Sequence, residues 1–341
     1  MSEVQDNLIS EVTPGQLGNI LSGAIENNFP VMIVGAPGVG KSDIMAQACA
    51  KAKARLEIMH PVVSSPIDYK GLPYVGDGET AKYLPDTQLN KLIMADKPTV
   101  CFMDDLGQAP AAVQAACMQL ILARRVNGHR ISDHVTFMAA TNRREDHAGV
   151  NGILEPVKSR FKAILHLVPD VNDWCKWAIK ANMPIELVAF IRYRPEKLIE
   201  GKPSRDMVNS PCPRTVTSLG QWFQAGVEDI AVWSGAVGQG FATEFHNFIQ
   251  IWKKLPRFSQ IVADPENAQL PESDELSVAY ATIGMLVKNV RHENVDSVFQ
   301  YVRRFQNEFQ VLFAKDMTVT IPDLCESQAF ISWSADKGNI I

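Results

Sequence analysis

"VMIVGAPGVGKS", residues 31–42, is the stretch on which the reading of this chain turns. Val31 to Val34 form a short apolar run of the kind that makes a buried strand, and the run stops at Gly35. From there GAPGVGKS fits the pattern G-x-x-x-x-G-K-[ST]. The residues from Lys41 to about 54 read as a helix, so the pattern has the strand before it and the helix after it that it requires. Gly35, Gly38 and Gly40, with Ala36, Pro37 and Val39 between them, let the backbone curl round an anion. The amides and the helix N-terminus then face that anion. Lys41 would reach the β- and γ-phosphates of a nucleoside triphosphate, and the Ser42 hydroxyl would ligate Mg²⁺. An ordinary glycine-rich turn is the alternative.

A second stretch, "VCFMDDLGQAP" at 100–110, supplies what such a site would need next. Four apolar residues run into Asp104 and Asp105, which places two carboxylates at the carboxyl end of a strand, the edge where open α/β sheets bind ligands. Asp104 would hold Mg²⁺ through water, and Asp105 would orient and deprotonate the attacking water. Asp is one methylene shorter than Glu, which shortens its reach by about 1.5 Å. A general base must lie within roughly 3 Å of the proton it takes. The site is therefore expected to be competent but slow. Lengthening Asp105 to Glu would then speed it, unless the site has been rebuilt round the shorter acid. A different alternative makes Asp105 a cap on the turn toward the helix at Pro110, with Glu145 the next acid to consider as base.

The 341 residues suffice for one large domain or two of ordinary size, and 46% hydrophobic with 21% charged residues is the composition of a globular protein. No stretch approaches the roughly 18 apolar residues of a membrane span. The acidic start "MSEVQDNLIS" lacks the regions of a secretory signal, so a cytoplasmic location and no membrane partner are expected. A net charge of −5 argues against nucleic acid as the main partner. Two basic clusters, Lys51-Lys53-Arg55 and Arg192-Arg194-Lys197, are either binding surfaces or solvated helix faces. The six cysteines include no CxxC pair, and Cys49, Cys101 and Cys117 read as reduced core thiols. His129 and His134 flank a turn without metal-ligand spacing.

Thr13-Pro14 opens a helix, and strands are expected at 31–35, 56–60, 99–103, 134–142 and 162–168. Asn127-Gly128 signals a tight hairpin. The Pro-, Gly- and Asp-rich segment 61–87 lacks periodicity and reads as a long loop, which points to a functional segment. Beyond it lie a short helix near 88–95 and one starting at Pro110. Strands alternating with helices imply an α/β fold with a mostly parallel five-stranded sheet. From 169 onward helices dominate, at 170–181, 184–194, 213–226, 239–254, 275–291 and 294–314, with 255–275 as a linker. The expected organisation is an α/β core over 1–168 and a helical domain over 169–341.

The phosphate loop, the Asp104-Asp105 pair, "AATN" (139–142) and "SRF" (159–161), in this order, resemble the AAA+ ATPase superfamily. "DDLGQAPAAVQAACMQLILARRV" (104–126) is similar to its MoxR-like branch, whose stretch reads D-E-x-x-x-A-P-x-x-V-Q. The likeness spans about residues 10–225. The tail "VGQGFATEFHNFIQIWKKLP" (237–256) is similar to that of phage and bacterial chains of this branch. The main departure is Asp105, where the family has Glu.

The resemblance implies an AAA+ core with an all-helical lid and a C-terminal helical extension, binding ATP and Mg²⁺. It makes Asn142 the sensor-1 residue, holding the attacking water. Arg160 becomes an arginine finger acting in trans, and Arg214, beside Pro213, becomes sensor 2. Arg143 and Arg144 are rival phosphate contacts, and a local ion pair is the alternative for Arg160. The resemblance also implies a homo-oligomeric, hexameric ring that remodels a protein client, with a von Willebrand factor A-domain partner. The 61–87 segment would face the pore or a partner through Tyr69, Leu72, Tyr74 and Tyr83, or would merely cover the core. An ATP-gated scaffold with little turnover and a nucleic-acid motor are the competing functions.

Overall fold

A computed structural model describes residues 11–76, 78, 80–146, 152–199, 207–272 and 274–337. The acidic N-terminal decapeptide, and Asp77 and Glu79 of the 61–87 segment, lie outside these. The chain divides into two compact units, Met1–Pro169 and Asp170–Ile341.

In the first unit the elements follow as β1 (Glu11–Val12), α1 (Pro14–Glu26), β2 (Val31–Gly35), α2 (Lys41–Lys51) and β3 (Arg55–Met59). Next come the hairpin β4 (Leu72–Val75) and β5 (Ala81–Leu84), then α3 (Thr87–Ile93), β6 (Thr99–Met103) and α4 (Ala111–Ala123). A second hairpin, β7 (Arg125–Val126) and β8 (His129–Arg130), precedes β9 (Val135–Thr141), α5 (Glu155–Lys158) and β10 (Ala163–Leu167). One sheet of order β1-β10-β2-β9-β6-β3 runs through the unit, parallel at every pairing.

Apolar runs form these strands because both sheet faces are covered. Ile33, Val100, Phe102, Met138 and Ala140 pack on one side with Leu17, Leu21 and Met45 of α1 and α2. Their neighbours Met32, Cys101, Met103, Phe137 and Ala139 pack on the other with Leu89, Val113, Cys117 and Leu120 of α3 and α4. Thr13 starts α1 by accepting from the Gln16 amide at 3.4 Å, while the Gln16 side chain accepts from the Thr13 amide at 3.0 Å. Burial pushes the Cys49 thiol up to about 11 and the Cys117 thiol up to about 12, as befits core sulfur.

Two expectations need correcting here. The sheet has six strands and not five. The extra one, β1, pairs Glu11 with His166 and Val12 with Leu167, and two residues are too few to show alternation. The 61–87 segment is not a loop but carries the β4–β5 hairpin, followed by α3 capped at Asp86. Gly71 closes this hairpin with φ 84°, where a Cβ would stand 2.6 Å from the Leu84 carbonyl oxygen. Tyr69 is no contact residue: it is 2% exposed and donates to Ser64 Oγ at 3.3 Å. Leu72 and Tyr74 are exposed, and Tyr83 is half-buried.

The described residues of the second unit are helical. They form α6 (Val171–Lys180), α7 (Ile185–Tyr193), α8 (Pro213–Gln224), α9 (Ile230–Val237), α10 (Gln239–Trp252) and α11 (Phe258–Ala263). The unit continues with α12 (Leu276–Asn289), α13 (Val295–Val302), α14 (Asn307–Thr320) and α15 (Gln328–Lys337). The expected linker at 255–275 is packed structure, since Ile261 of α11 is fully buried. The expected helix over 294–314 breaks between α13 and α14, where Arg304 donates to the Pro265 and Ala268 carbonyls at 2.7 and 2.8 Å. Helices α7 and α12 meet closely at Gly284, where a Cβ would stand 2.8 Å from that of Ala189.

The basic cluster 192–197 is engaged in ion pairs, with the Arg192 and Lys197 side chains largely buried and Arg194 half-buried. Arg192 pairs with Asp316 at 2.7 Å, and Arg194 and Lys197 both reach Glu244, at 2.7 and 2.9 Å. In the first unit Lys51 donates to Asn19 and Arg55 pairs with Glu57 at 2.7 Å. No described helix is long and apolar enough to cross a membrane.

The Arg192–Asp316 pair is buried, with side chains only 10% and 7% exposed. Removing one partner strands the other charge, so Asp316→Ala is expected to cost about 3–5 kcal/mol in urea unfolding. Replacing both, as Arg192→Met with Asp316→Leu, is expected to be neutral or stabilising. Equal losses in the single and double variants would contradict this account.

Candidate nucleotide site

The sheet register assembles the site. Because β2 pairs Val34 with Thr141, one step further sets Gly35 beside Asn142. Because β6 pairs Met103 with Ala139, Asp104 and Asp105 follow at the end of β6 next to the last residues of β9. Three chain segments thus leave the carboxyl edge of adjacent strands together, with Asn142 in the middle.

The loop after β2 is shaped by its glycines. Gly38 and Gly40 have φ of 76° and 95°, left-handed values that suit glycine, and Gly40 is the N-cap of α2. Val39 is buried in the core between α1 and α2 and anchors the loop. Lys41 is 7% exposed and donates to the carbonyls of Gly35 and Ala36 at 2.9 and 3.1 Å and to Asn142 Oδ1 at 2.6 Å. Ser42 Oγ donates to Asp104 Oδ2 at 2.7 Å.

The acids are held from the other side. The Asp104 amide donates to the Met59 carbonyl at 2.9 Å, fixing the end of β6 against β3. Asp104 Oδ1 accepts the Asp105 amide at 3.1 Å. Asp105 itself is left-handed, with φ 56° and ψ 33°, and starts a single 3₁₀ turn over Leu106–Gln108. Its carboxylate does not cap that turn. Oδ1 instead accepts from Gln108 Nε2 at 2.9 Å and from Asn142 Nδ2 at 3.3 Å. Lys41, Asn142 and Asp105 therefore form one hydrogen-bonded row, with Ser42 and Asp104 paired beside it.

This donor set fits a triphosphate with a hard divalent cation. A hydroxyl and a carboxylate 2.7 Å apart offer oxygen ligands, and a lysine among loop carbonyls offers the positive charge. Sequence reasoning missed Gln108 and Thr141, whose hydroxyl lies 3.1 Å from the Asn142 carbonyl oxygen and 3.4 Å from Gln108 Oε1. The available signal was the spacing in "DDLGQAP", where Gln108 follows Asp105 by one turn.

The other candidates of the first unit lie outside this hydrogen-bonded row. Arg143 is committed to Asp146 through two hydrogen bonds of 3.0 and 2.7 Å, so it is not a free phosphate contact. Arg144 is exposed and lies over Gly152. Glu145 is exposed and lies 3.6 Å from Arg143. Arg160 follows α5, two residues before Lys162, whose amide donates to the Pro30 carbonyl ahead of β2. It therefore sits at the amino edge of the sheet, and the five residues of β2 separate that edge from the phosphate loop by roughly 16 Å. Its Nε is buried without a hydrogen-bond partner among the described residues. Arg214 belongs to the second unit, exposed, as the second residue of α8.

Residues 30–161 match the sequence model of the AAA domain of the dynein-related subfamily. No curated protein matches the chain. Among solved structures, a point mutant of Thermotoga maritima RuvB is 17% identical at a TM-score of 0.39, covering 73% of each chain. The Thermotoga maritima RuvB Holliday junction branch migration motor is 12% identical at 0.35, covering 95% of this chain and 87% of that one. Brucella abortus NtrX in complex with ATP is 13% identical at 0.37, covering 90% of this chain and 67% of that one.

Lys41→Ala is expected to abolish nucleotide binding while leaving far-UV circular dichroism and cooperative unfolding at parental values. The lysine donates to the loop carbonyls and to Asn142, groups at the sheet edge and not in the apolar core. A Lys41→Ala protein that binds ATP as tightly as the parent would remove the loop from the function.

Proposed function

The chain carries an AAA+ ATPase core over residues 30–161, and from that premise we propose a ring-forming ATPase of MoxR type. It couples ATP binding and hydrolysis to the remodelling or maturation of a protein partner. The observation that carries this reading is the row Lys41–Asn142–Asp105 beside the pair Ser42–Asp104. It unites a phosphate ligand, a cation site and a base at one sheet edge.

In this reading Ser42 and Asp104 hold Mg²⁺, which when bound neutralises charge on the phosphates. Lys41 swings from its loop carbonyls onto the β- and γ-phosphates. Asn142 and Asp105 orient a water, whose proton passes to the Asp105 carboxylate as its oxygen attacks the γ-phosphorus. The bond from that phosphorus to the β-bridging oxygen breaks, and ADP leaves with the electron pair. Arg160 serves a neighbouring subunit, because its own loop lies at the opposite sheet edge. That requires head-to-tail contacts closing into a ring, hexameric by resemblance. Arg214 would link lid position to nucleotide state. The motif "DDLGQAPAAVQ" supports the MoxR-type assignment, and with it a protein client and a von Willebrand factor A-domain partner. A location in the cytoplasm accords with this. The pairing of Arg192, Arg194 and Lys197 with carboxylates favours a protein over a nucleic-acid partner. An ATP-gated scaffold is the second reading, favoured by the short reach of Asp105.

Asp105→Asn is expected to keep ATP binding and lower turnover by about 10²–10⁴-fold, because an amide cannot take the proton. Tight binding with no turnover in the parent would select the scaffold. Specific activity is expected to rise steeply with subunit concentration, and Arg160→Ala to be inactive alone. Mixing it with Asp105→Asn should restore part of the activity, since some interfaces then receive one intact half from each. Activity independent of both concentration and Arg160 would sink the ring.

A further inference from the structure

Gln108 enters neither the phosphate loop nor the acid pair, yet its side chain touches the base. The 3₁₀ turn folds it back over Asp105, so that the Gln108 amide N–H donates to the Asp105 carbonyl at 3.0 Å and Nε2 to Oδ1 at 2.9 Å. Asn142 Nδ2 converges on the same oxygen at 3.3 Å. Among the described residues no hydrogen bond engages Oδ2.

We propose that Gln108 is a positioning residue whose long amide compensates for the short acid, holding Asp105 in the pose from which its second oxygen takes the proton. The inference rests on the reading of Asp105 as the base. Its chemistry is set by the orientation of the amide. An ionised carboxylate only accepts, so Nε2 and not Oε1 faces Oδ1, and Oε1 lies 3.4 Å from the Thr141 hydroxyl. A reversed amide would set its oxygen against Oδ1. Gly107 lets the turn close this far, since a Cβ there would collide with the Thr141 hydroxyl. The left-handed backbone of Asp105, φ 56°, aims the acid at both donors at once.

It follows that the site is built round aspartate. Asp105→Glu would push the carboxylate about 1.5 Å past Gln108 and Asn142, so it is expected to slow turnover. Gln108→Asn retracts the donor by a similar length, and the exchange Asp105→Glu with Gln108→Asn returns the two groups to contact.

The test measures steady-state ATP turnover at ring-forming concentration, together with the Kd for a fluorescent ATP analogue. Gln108→Ala is expected to lower kcat by about 10- to 100-fold, the cost of a misplaced reacting group, with Kd within about twofold of the parent. In an Asp105→Asn background the same change should cost nothing further, because the two act as a unit. The length exchange should turn over faster than Asp105→Glu alone. Should Gln108→Ala fail to fold, the near-isosteric Gln108→Glu replaces it, and its carboxylate beside Asp105 should also lower kcat. Parental kcat in Gln108→Ala, an additive loss in the Asp105→Asn background, or no gain from the exchange would overturn the inference. Parental turnover in Asp105→Asn alone would overturn the base reading instead, and the inference with it.

Discussion

One side-chain amide ties the two halves of the site together. Asn142 accepts from Lys41 at 2.6 Å and donates to Asp105 at 3.3 Å. The amide can do this only because β9 is hydrogen-bonded to β2 on one side and β6 on the other. Its register is locked by complete burial on both faces, with Phe137 and Ala139 turned one way and Met138 and Ala140 the other. A slip by one residue would exchange the two faces and carry Asn142 out of the row. The packing of an apolar strand is thus what holds a polar bridge in place.

Much of this was legible in the chain itself. Strands buried on both faces are largely apolar, so β2, β6 and β9 announce themselves, and glycines with left-handed torsions mark the loop between β2 and α2. The hairpin β4–β5 was not legible, because Leu72, Pro73, Tyr74 and Val75 are all exposed and no alternation of apolar and polar residues results. Helix α11 was hidden by its length: six residues bury Ile261 alone, and Pro, Asp and Asn flank them. Gln108 escaped for another reason. A neutral polar residue in a turn looks the same whether it faces water or a carboxylate, and only the left-handed Asp105 before it decides which.

Charge behaved similarly. Basic clusters read along the chain as surface features, yet Arg192 is paired with Asp316 from a segment more than a hundred residues away, and Arg143 with the buried Asp146 three residues on. Arg124 spends its guanidinium on the carbonyls of Ser132 and Val135, at 2.6 and 2.9 Å, closing the end of α4 over the β7–β8 hairpin. Net charge can limit the class of partner, but what each cation meets is a property of the fold.

The β4–β5 hairpin bears a consequence of its own. Among the described residues its two strands pair only with each other, which leaves two open edges, and it exposes Leu72, Tyr74, Val75 and Leu84. Such an element would ordinarily invite strand addition and aggregation. Here Pro73 removes a donor from one strand, and Lys82 adds a charge to the other, opposite Tyr74. The base is fastened to the neighbouring hairpin, with Asn127 donating to the Lys70 carbonyl at 2.7 Å and His129 Nε2 lying 2.9 Å from that of Tyr83. What the hairpin offers to its surroundings is greasy side chains on a braced stalk, with a backbone ill suited to templating a further strand.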